Sequence, residues 1–256
     1  MSFPEIKDLI NRGALFVVNH SGGKDSQAMF DYVRELVPAN QIVVVHADLP
    51  DVEWDGVQDH IKNTIGTTPF YVCRSRRTLL QMIAERGMFP SPKNRQCTSD
   101  LKRNPIERTI RQISKDMDNK LIVNCMGMRA QESSGRAKLN TFKLSVKNSR
   151  AGREWYDWLP IHDWKVDEVF DRIAKAGQKP HWAYASGMTR LSCCFCIMAS
   201  KADLTTAARL NPKLCRRYVE LEHSTGQTML MPSKKHGRQT LEQVTGIPVV
   251  QLELAS

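Results

Sequence analysis

The sequence predicts an α/β fold with a doubly wound, mostly parallel sheet, and three observations carry that expectation. Short apolar runs rich in β-branched residues recur at Leu15 to Val18, Ile42 to Val45, Phe70 to Val72 and Leu121 to Cys125. Stretches of helical spacing separate them, the alternation that βαβ units produce. A glycine-containing loop, His20 to Ser26, directly follows the first run, at the place where open α/β sheets bind ligands.

Taken in order, the loop is followed by Ala28, Met29, Tyr32, Val33 and Leu36 at helical spacing. The Ile42 run closes with His46, Ala47 and Asp48, and Trp54, Val57, Ile61 and Ile65 then mark a second helix. Leu79 to Ala84 is a third, and Pro105 stands where a first-turn proline opens a helix through Ile106, Ile110 and Ile113. Gly135 to Arg153 is polar, basic and weakly periodic, the pattern of a long loop or an irregular hairpin. Val166, Val169, Phe170 and Ile173 form another helix, and Leu204 to Glu222 is helical around a break at Pro212. The tail from Met231 is basic, then apolar, and gives no assignment. Without internal repeats or low-complexity tracts, the expected division is a sheet domain over 1–185 and a helical, cysteine-bearing extension over 186–256 packed on it.

Composition narrows the setting. The chain has 256 residues, 41% hydrophobic and 25% charged, with mean hydropathy −0.42. No apolar run approaches 18 residues, and with this balance a membrane-spanning helix and a disordered chain are both disfavoured. Lys and Arg number 37 against 27 Asp and Glu, a formal charge of +10 that favours polyanionic partners. Met1 to Arg12 carries Glu5 and Asp8 and lacks a basic stretch before an apolar core, so it does not read as a secretory signal, and a cytoplasmic location is expected. Seven cysteines, an odd count in such a chain, predict reduced thiols or metal ligands. The basic residues fall in five groups: Arg74 to Arg77, Lys93 to Arg103, the 136–153 stretch, Lys213 to Arg217 and Lys234 to Arg238. Together they exceed what one nucleotide needs and leave a nucleic-acid substrate open. Trp155, Tyr156, Trp158, Trp164, Trp182 and Tyr184 are expected in the core, although aromatic rings can also stack bases.

Ser21-Gly22-Gly23-Lys24-Asp25-Ser26 lies between the first strand and first helix. There, backbone N–H groups and the positive end of the helix dipole converge on an anion. Two adjacent glycines admit phosphate close to the backbone, and Lys24 adds a mobile charge. The spacing is neither GxxxxGK[ST] nor GxGxxG. Elsewhere, Cys193 to Cys196 forms a CxxC, a spacing that suits iron–sulfur clusters, zinc or a dithiol pair.

These strings resemble the PP-loop ATP pyrophosphatase superfamily. Ser21 to Ser26 matches its SGGxDS signature, and His46 to Trp54 looks like its acidic loop. Cys97-Thr-Ser-Asp-Leu-Lys102-Arg-Asn-Pro105 is similar to its CTxxLKxxP segment. Gly127-Met-Arg129-Ala-Gln-Glu132-Ser133 resembles the GxRxxES motif of the phosphoadenosine phosphosulfate (PAPS) reductase-like group. The resemblance covers about residues 15 to 200 and implies the adenine nucleotide alpha hydrolase-like fold. It implies that Ser21, Gly22, Gly23, Lys24, Asp25 and Ser26 hold the phosphates of ATP or a related adenine nucleotide, with Gly127, Arg129 and Glu132 contributing. Lys24, Asp48 and Arg129 are the expected catalytic residues, with Asp48 near the nucleotide or its Mg²⁺ and Arg129 facing the transferring group. Such assignments suit a guanidinium that grips phosphate or sulfate and a carboxylate that suits Mg²⁺.

The resemblance also implies an iron–sulfur cluster, [4Fe–4S], on Cys97, Cys193 and Cys196. Gln96 stands where cluster-bearing relatives place a second adjacent cysteine, which leaves the fourth ligand to Cys215, to Cys194 or to an open iron. Cys73 and Cys125 sit in apolar strands and read as buried residues. The expected reaction is adenylation of an acceptor, with the cluster assisting sulfur transfer to tRNA, DNA or a small molecule from a separate sulfur donor. The alternative is reduction of PAPS to sulfite and adenosine 3′,5′-bisphosphate with a thioredoxin-like reductant. No cysteine follows Cys215, whereas family reductases carry an ECGxH-type tail, and this weighs toward adenylation. A noncatalytic nucleotide-binding module is the third possibility. The sequence sets neither the acceptor nor the oligomeric state.

Overall fold

The computed structural model describes residues 3–232 and 234–248; the expectation about the chain's last residues, 249–256, lies outside them. The first half runs α1 (Phe3–Asn11), β1 (Leu15–Asn19), α2 (Lys24–Leu36), β2 (Ile42–Asp48), α3 (Val57–Ile65), β3 (Phe70–Arg74), α4 (Leu79–Arg86) and α5 (Gln96–Thr98). It continues with α6 (Asn104–Asp116), β4 (Leu121–Cys125), α7 (Ser134–Ala137), β5 (Phe142–Leu144) and β6 (Glu154–Trp158). The remaining helices are α8 (Val166–Lys175), α9 (Trp182–Ala185), α10 (Lys201–Leu210), α11 (Pro212–Thr225) and α12 (Leu241–Thr245).

The strands form one six-stranded sheet in the order β3-β2-β1-β4-β6-β5. The β1–β2, β1–β4 and β4–β6 pairs are parallel, and β5 runs antiparallel to β6. The expected doubly wound α/β fold is therefore present. Every residue of β2 is buried, as a strand covered on both faces requires, and this is why the Val43-Val44-Val45 run does not alternate with polar residues. Edge strand β3 instead exposes Tyr71 and Val72.

Side chains two apart along the strands share a face. Leu15 and Val17 of β1, Val43 and Val45 of β2, Ile122 of β4 and Trp155 of β6 meet Ile110 and Ile113 from α6 in one core. On the same helix Ile106 packs against that core, so the spacing 106, 110, 113 is the apolar stripe that the sequence shows. Helix α8 is tied to α2 through Arg172, whose Nε donates to Asp31 at 2.6 Å.

The 135–153 stretch resolves as the hairpin alternative: β5 pairs with β6 through Phe142 to Trp158 and Leu144 to Tyr156. Strand β6 itself was not legible, because Glu154-Trp-Tyr-Asp-Trp158 neither alternates nor runs apolar, and three of its five positions are only partly buried. Trp155 and Trp158 are core residues as expected, whereas Trp182 is 44% exposed. Its ring meets Trp54 edge-on at 5.7 Å, and its indole N–H reaches the Asp55 carbonyl at 3.0 Å; a polar handle of this kind lets a tryptophan stay at the surface.

Two compact units divide the described chain. The first contains the residues up to Ala47, Gly56–Cys73 and Ile106–His181, and the second Asp48–Asp55, Arg74–Pro105 and the residues from Trp182 on. In the second unit, buried Glu222 of α11 accepts the Met229 and Leu241 N–H groups at 2.8 Å each, fixing the start of α12. Asp203 of α10 likewise accepts the Thr189 N–H and hydroxyl at 2.8 Å each. Among the described residues no helix is long and apolar enough to cross a membrane.

Candidate functional site

Asn19 ends β1, and the loop that follows enters α2 at Gly23, whose N-cap position has no side-chain cap. The first N–H groups of α2 therefore lack the side-chain acceptor that usually caps a helix, which leaves the helix terminus suited to an anion. Gly22 lies at φ 77°, a left-handed conformation that glycine adopts without penalty. Its N–H donates to His20 Nδ1 at 3.0 Å. The Ser21 N–H donates to Ser26 Oγ at 3.1 Å, and the Ser26 hydroxyl donates to the Gly23 carbonyl at 2.8 Å. Ser21, Gly22, Gly23 and Ser26 thus form one internally braced turn. Burial drives the His20 pKa down to about 3, with His46 and His60 acting in the same direction. The imidazole is neutral, and its Nε2 is buried without a hydrogen-bond partner.

Charge collects at Asp25. Lys24 Nζ lies 2.8 Å from one carboxylate oxygen and Arg129 Nε 2.6 Å from the other. Both cationic side chains are nearly fully buried, so each donates from a low-dielectric setting. Arg129 also reaches Gln131 Oε1 at 2.8 Å and the Trp164 carbonyl at 3.2 Å, contacts that fix the guanidinium plane. Gly127 explains the loop's close approach to the end of β4: a Cβ there would stand 3.1 Å from the Asp25 carbonyl oxygen and 3.3 Å from the Ser26 nitrogen. Glu132 plays a local part, accepting the Arg129 N–H at 3.0 Å and pairing with Arg136. The first unit therefore brings together Ser21 to Ser26, Gly127 and Arg129, with Glu132 bracing the turn that carries Arg129.

A polar chain that the sequence did not announce lies at the same strand ends. Asn19 donates to Asn124 Oδ1 at 2.7 Å, and Asn124 donates to Asp157 at 2.8 Å. Asp48, the last residue of β2, belongs to the second unit, where Arg74 Nε donates to it at 2.7 Å. That ion pair engages the carboxylate expected to serve Mg²⁺.

Three thiols of the second unit, Cys193, Cys196 and Cys97, act on Lys102. Cys97 lies on α5, and a π turn, Ser99–Arg103, follows it and carries Lys102, the kind of helical irregularity often found at functional sites. The lysine pKa is raised, first by Cys193, then by Cys196, Glu53 and Cys97. Burial pushes Cys193 up to about 11, with Lys102 opposing, and raises Cys97 in the same way. Cys194 is pushed to about 12 by burial and then by Cys193; its backbone N–H donates to the Val52 carbonyl at 2.8 Å. Cys196 Sγ accepts the Met198 N–H at 3.5 Å. Cys97 and Cys196 are half-buried, and the other five cysteines are buried. Cys215 is buried on α11; burial pushes its pKa up to about 12, and Glu222 and then Glu242 add to the rise. Cys125 is buried in β4, as expected, and its pKa rises well above the usual thiol range for that reason alone.

Many of the basic side chains are paired. Arg74 holds Asp48, Arg77 holds Glu85 at 2.9 Å, Lys147 holds Glu107 at 2.9 Å, and Arg217 lies 3.6 Å from Asp51.

Among solved structures, the chain is similar to PAPS reductase from Candida auris, in a phosphate complex. Identity is 12%, coverage is 75% of this chain and 96% of that one, and the TM-score is 0.49. It is also similar to Candida glabrata FMN adenylyltransferase in complex with FAD and inorganic pyrophosphate, at 12% identity, 74% and 64% coverage and a TM-score of 0.47. Among curated proteins it is 27% identical over 183 residues to the uncharacterized 37.8 kDa protein in the gpa 5′ region of Escherichia phage 186. That match covers 69% of this chain and 54% of the relative, so the chain spans about half the length of the curated protein it matches. The profile of the phosphoadenosine phosphosulfate reductase domain matches residues 16–199, which contain the phosphate loop, Arg129 and the CxxC. Most of the chain falls within that match, and the protein belongs to the phosphoadenosine phosphosulfate reductase domain family.

Proposed function

We propose that the protein is an adenine-nucleotide enzyme that holds the nucleotide's phosphates at Ser21 to Ser26 and stabilises the charge that develops on the transferring group through Arg129. The observation that carries this reading is the buried Lys24–Asp25–Arg129 arrangement at the uncapped start of α2. Phosphates arriving there meet backbone donors and two cations already positioned, which is the form of catalysis that needs little covalent chemistry from the protein.

Reduction of PAPS is the reaction that family membership supports. Attack of a thiolate on the sulfonyl sulfur expels adenosine 3′,5′-bisphosphate and leaves a thiosulfonate. A second thiol then releases sulfite and leaves a disulfide for a thioredoxin-like reductant. Cys97 and Cys196, the half-buried thiols, are the candidates for exposed sulfur chemistry. The test is anaerobic incubation with PAPS and reduced thioredoxin, scored for sulfite. Sulfite from the wild type, lost in Arg129→Ala, supports this reaction; its absence removes it.

A second reading, adenylation of an acceptor by ATP with release of pyrophosphate, is favoured by the state of the thiols. Burial raises Cys97, Cys193 and Cys194, the opposite of what an activated nucleophile needs. As metal ligands the same thiols bind as thiolates, the metal displacing their protons into solvent. Cys97, Cys193 and Cys196 fit an iron–sulfur cluster: they interact with one another, and Cys196 already accepts a backbone N–H. When bound, the cluster supplies a one-electron centre or an open iron that takes sulfide. With ATP and tRNA or DNA, pyrophosphate that forms only in the presence of the nucleic acid supports this reading.

A further inference from the structure

Tyr218 of α11 is 1% exposed, and its hydroxyl has no hydrogen-bond partner. The ring is fixed by packing: it lies 5.1 Å from Phe195, which stands between Cys194 and Cys196, and stacks on Phe89 at 6.3 Å. Burial raises the hydroxyl's pKa well above its usual range, and Cys193, Cys194, Cys196 and Cys97 act in the same direction. Folded proteins leave few buried hydroxyls unpaired, because a hydroxyl taken out of water without an acceptor is costly. No protein atom, sulfur included, stands within hydrogen-bond reach of the Tyr218 hydroxyl among the described residues, which leaves its hydrogen for a group seated beside the cysteine loop that carries Phe195.

We propose that Tyr218 donates its hydroxyl hydrogen to a sulfur of an iron–sulfur cluster held by Cys97, Cys193 and Cys196, and so raises the cluster's reduction potential. The proposal rests on the reading of these thiols as a cluster seat. Reduction adds negative charge to the cluster sulfurs, so a hydrogen-bond donor aimed at them stabilises the reduced form more than the oxidised one. Lys102 acts on the same sulfurs in the same direction, and a test on Tyr218 alone leaves it unchanged. Tyr218 is a positioning and tuning residue in this scheme.

The experiment loads wild type and Tyr218→Phe anaerobically with ferrous iron and sulfide, then measures iron, acid-labile sulfide and midpoint potential. Phenylalanine keeps both ring contacts and removes only the hydroxyl, so the variant is expected to fold and to load to the wild-type level. Its midpoint potential is expected to move to a more negative value. A third protein with 3-fluorotyrosine at position 218, a stronger donor, is expected to move it the other way. Equal potentials in all three fully loaded proteins overturn the role of Tyr218 and leave the cluster seat standing. Wild-type protein that takes up neither iron nor sulfide overturns both.

Discussion

At the scale of single residues, Arg129 is the side chain on which the proposed phosphate site turns. Its Nε is bound to Asp25 at 2.6 Å, and its Nη1 to Gln131 and Trp164. A lysine keeps the charge but cannot make these contacts from one rigid plane. Losing one charge-assisted hydrogen bond costs about 1.5–3 kcal/mol, so Arg129→Lys is expected to lower kcat/KM by about tenfold to a hundredfold. Steady-state kinetics on whichever nucleotide proves to be the substrate checks this. His20 makes a different prediction. Its folded pKa near 3 lies below the unfolded value of 6.5, so the unfolded chain binds the extra proton. The stability this neutral imidazole contributes is complete above pH 6.5 and is lost as pH falls from there toward 3. Between pH 6.5 and 5 the loss is about 2 kcal/mol. Denaturant titrations at both pH values should show that drop in the wild type and a smaller one in His20→Gln. A wild type with a flat profile contradicts the assignment.

At the scale of elements, the phosphate loop depends on close contact between the start of α2 and the end of β4. Gly127→Ala places a methyl 3.1 Å from the Asp25 carbonyl oxygen, against backbone that cannot swing aside. Overpacking of this kind costs about 1–3 kcal/mol, and the expected outcome is weaker nucleotide binding together with a lower melting temperature. Ile110→Ala on α6 removes a fully buried side chain from the sheet core. It is expected to destabilise by about 2–5 kcal/mol and, because Ile110 faces the core, to leave nucleotide affinity intact in the folded protein. Elements with one strong period were legible in the sequence: the β-branched strands, and α6 through Ile106, Ile110 and Ile113. Strand β6 was not, since its pairing partner decides its conformation more than its own residues do. The turn between β1 and α2 was legible because adjacent glycines directly after an apolar run mark the end of a strand. The pairing of Asp48 with Arg74 was not, because a local motif does not report which distant side chains reach it. Tyr218 left no signal at all: it lies 22 positions beyond Cys196, and only the packing of α11 brings its ring to Phe195.

At the scale of the whole molecule, the two compact units carry different chemistry. The first holds the phosphate loop and Arg129, and the second holds Cys97, Cys193, Cys196 and Lys102. The formal charge of +10 raises the local concentration of any polyanionic ligand, an effect that salt screens. Much of that charge is engaged in ion pairs such as Arg77–Glu85 and Lys147–Glu107, so charge alone does not identify a nucleic-acid partner. The claim on which the account stands is that Ser21 to Ser26 and Arg129 bind an adenine nucleotide through its phosphates. Calorimetric titration of ATP and of adenosine 3′,5′-bisphosphate into the wild type and Arg129→Ala tests it most directly. Saturable binding of at least one of them to the wild type is expected, weakened about tenfold or more in the variant. Binding that is equal in the two proteins, or absent from both, contradicts it.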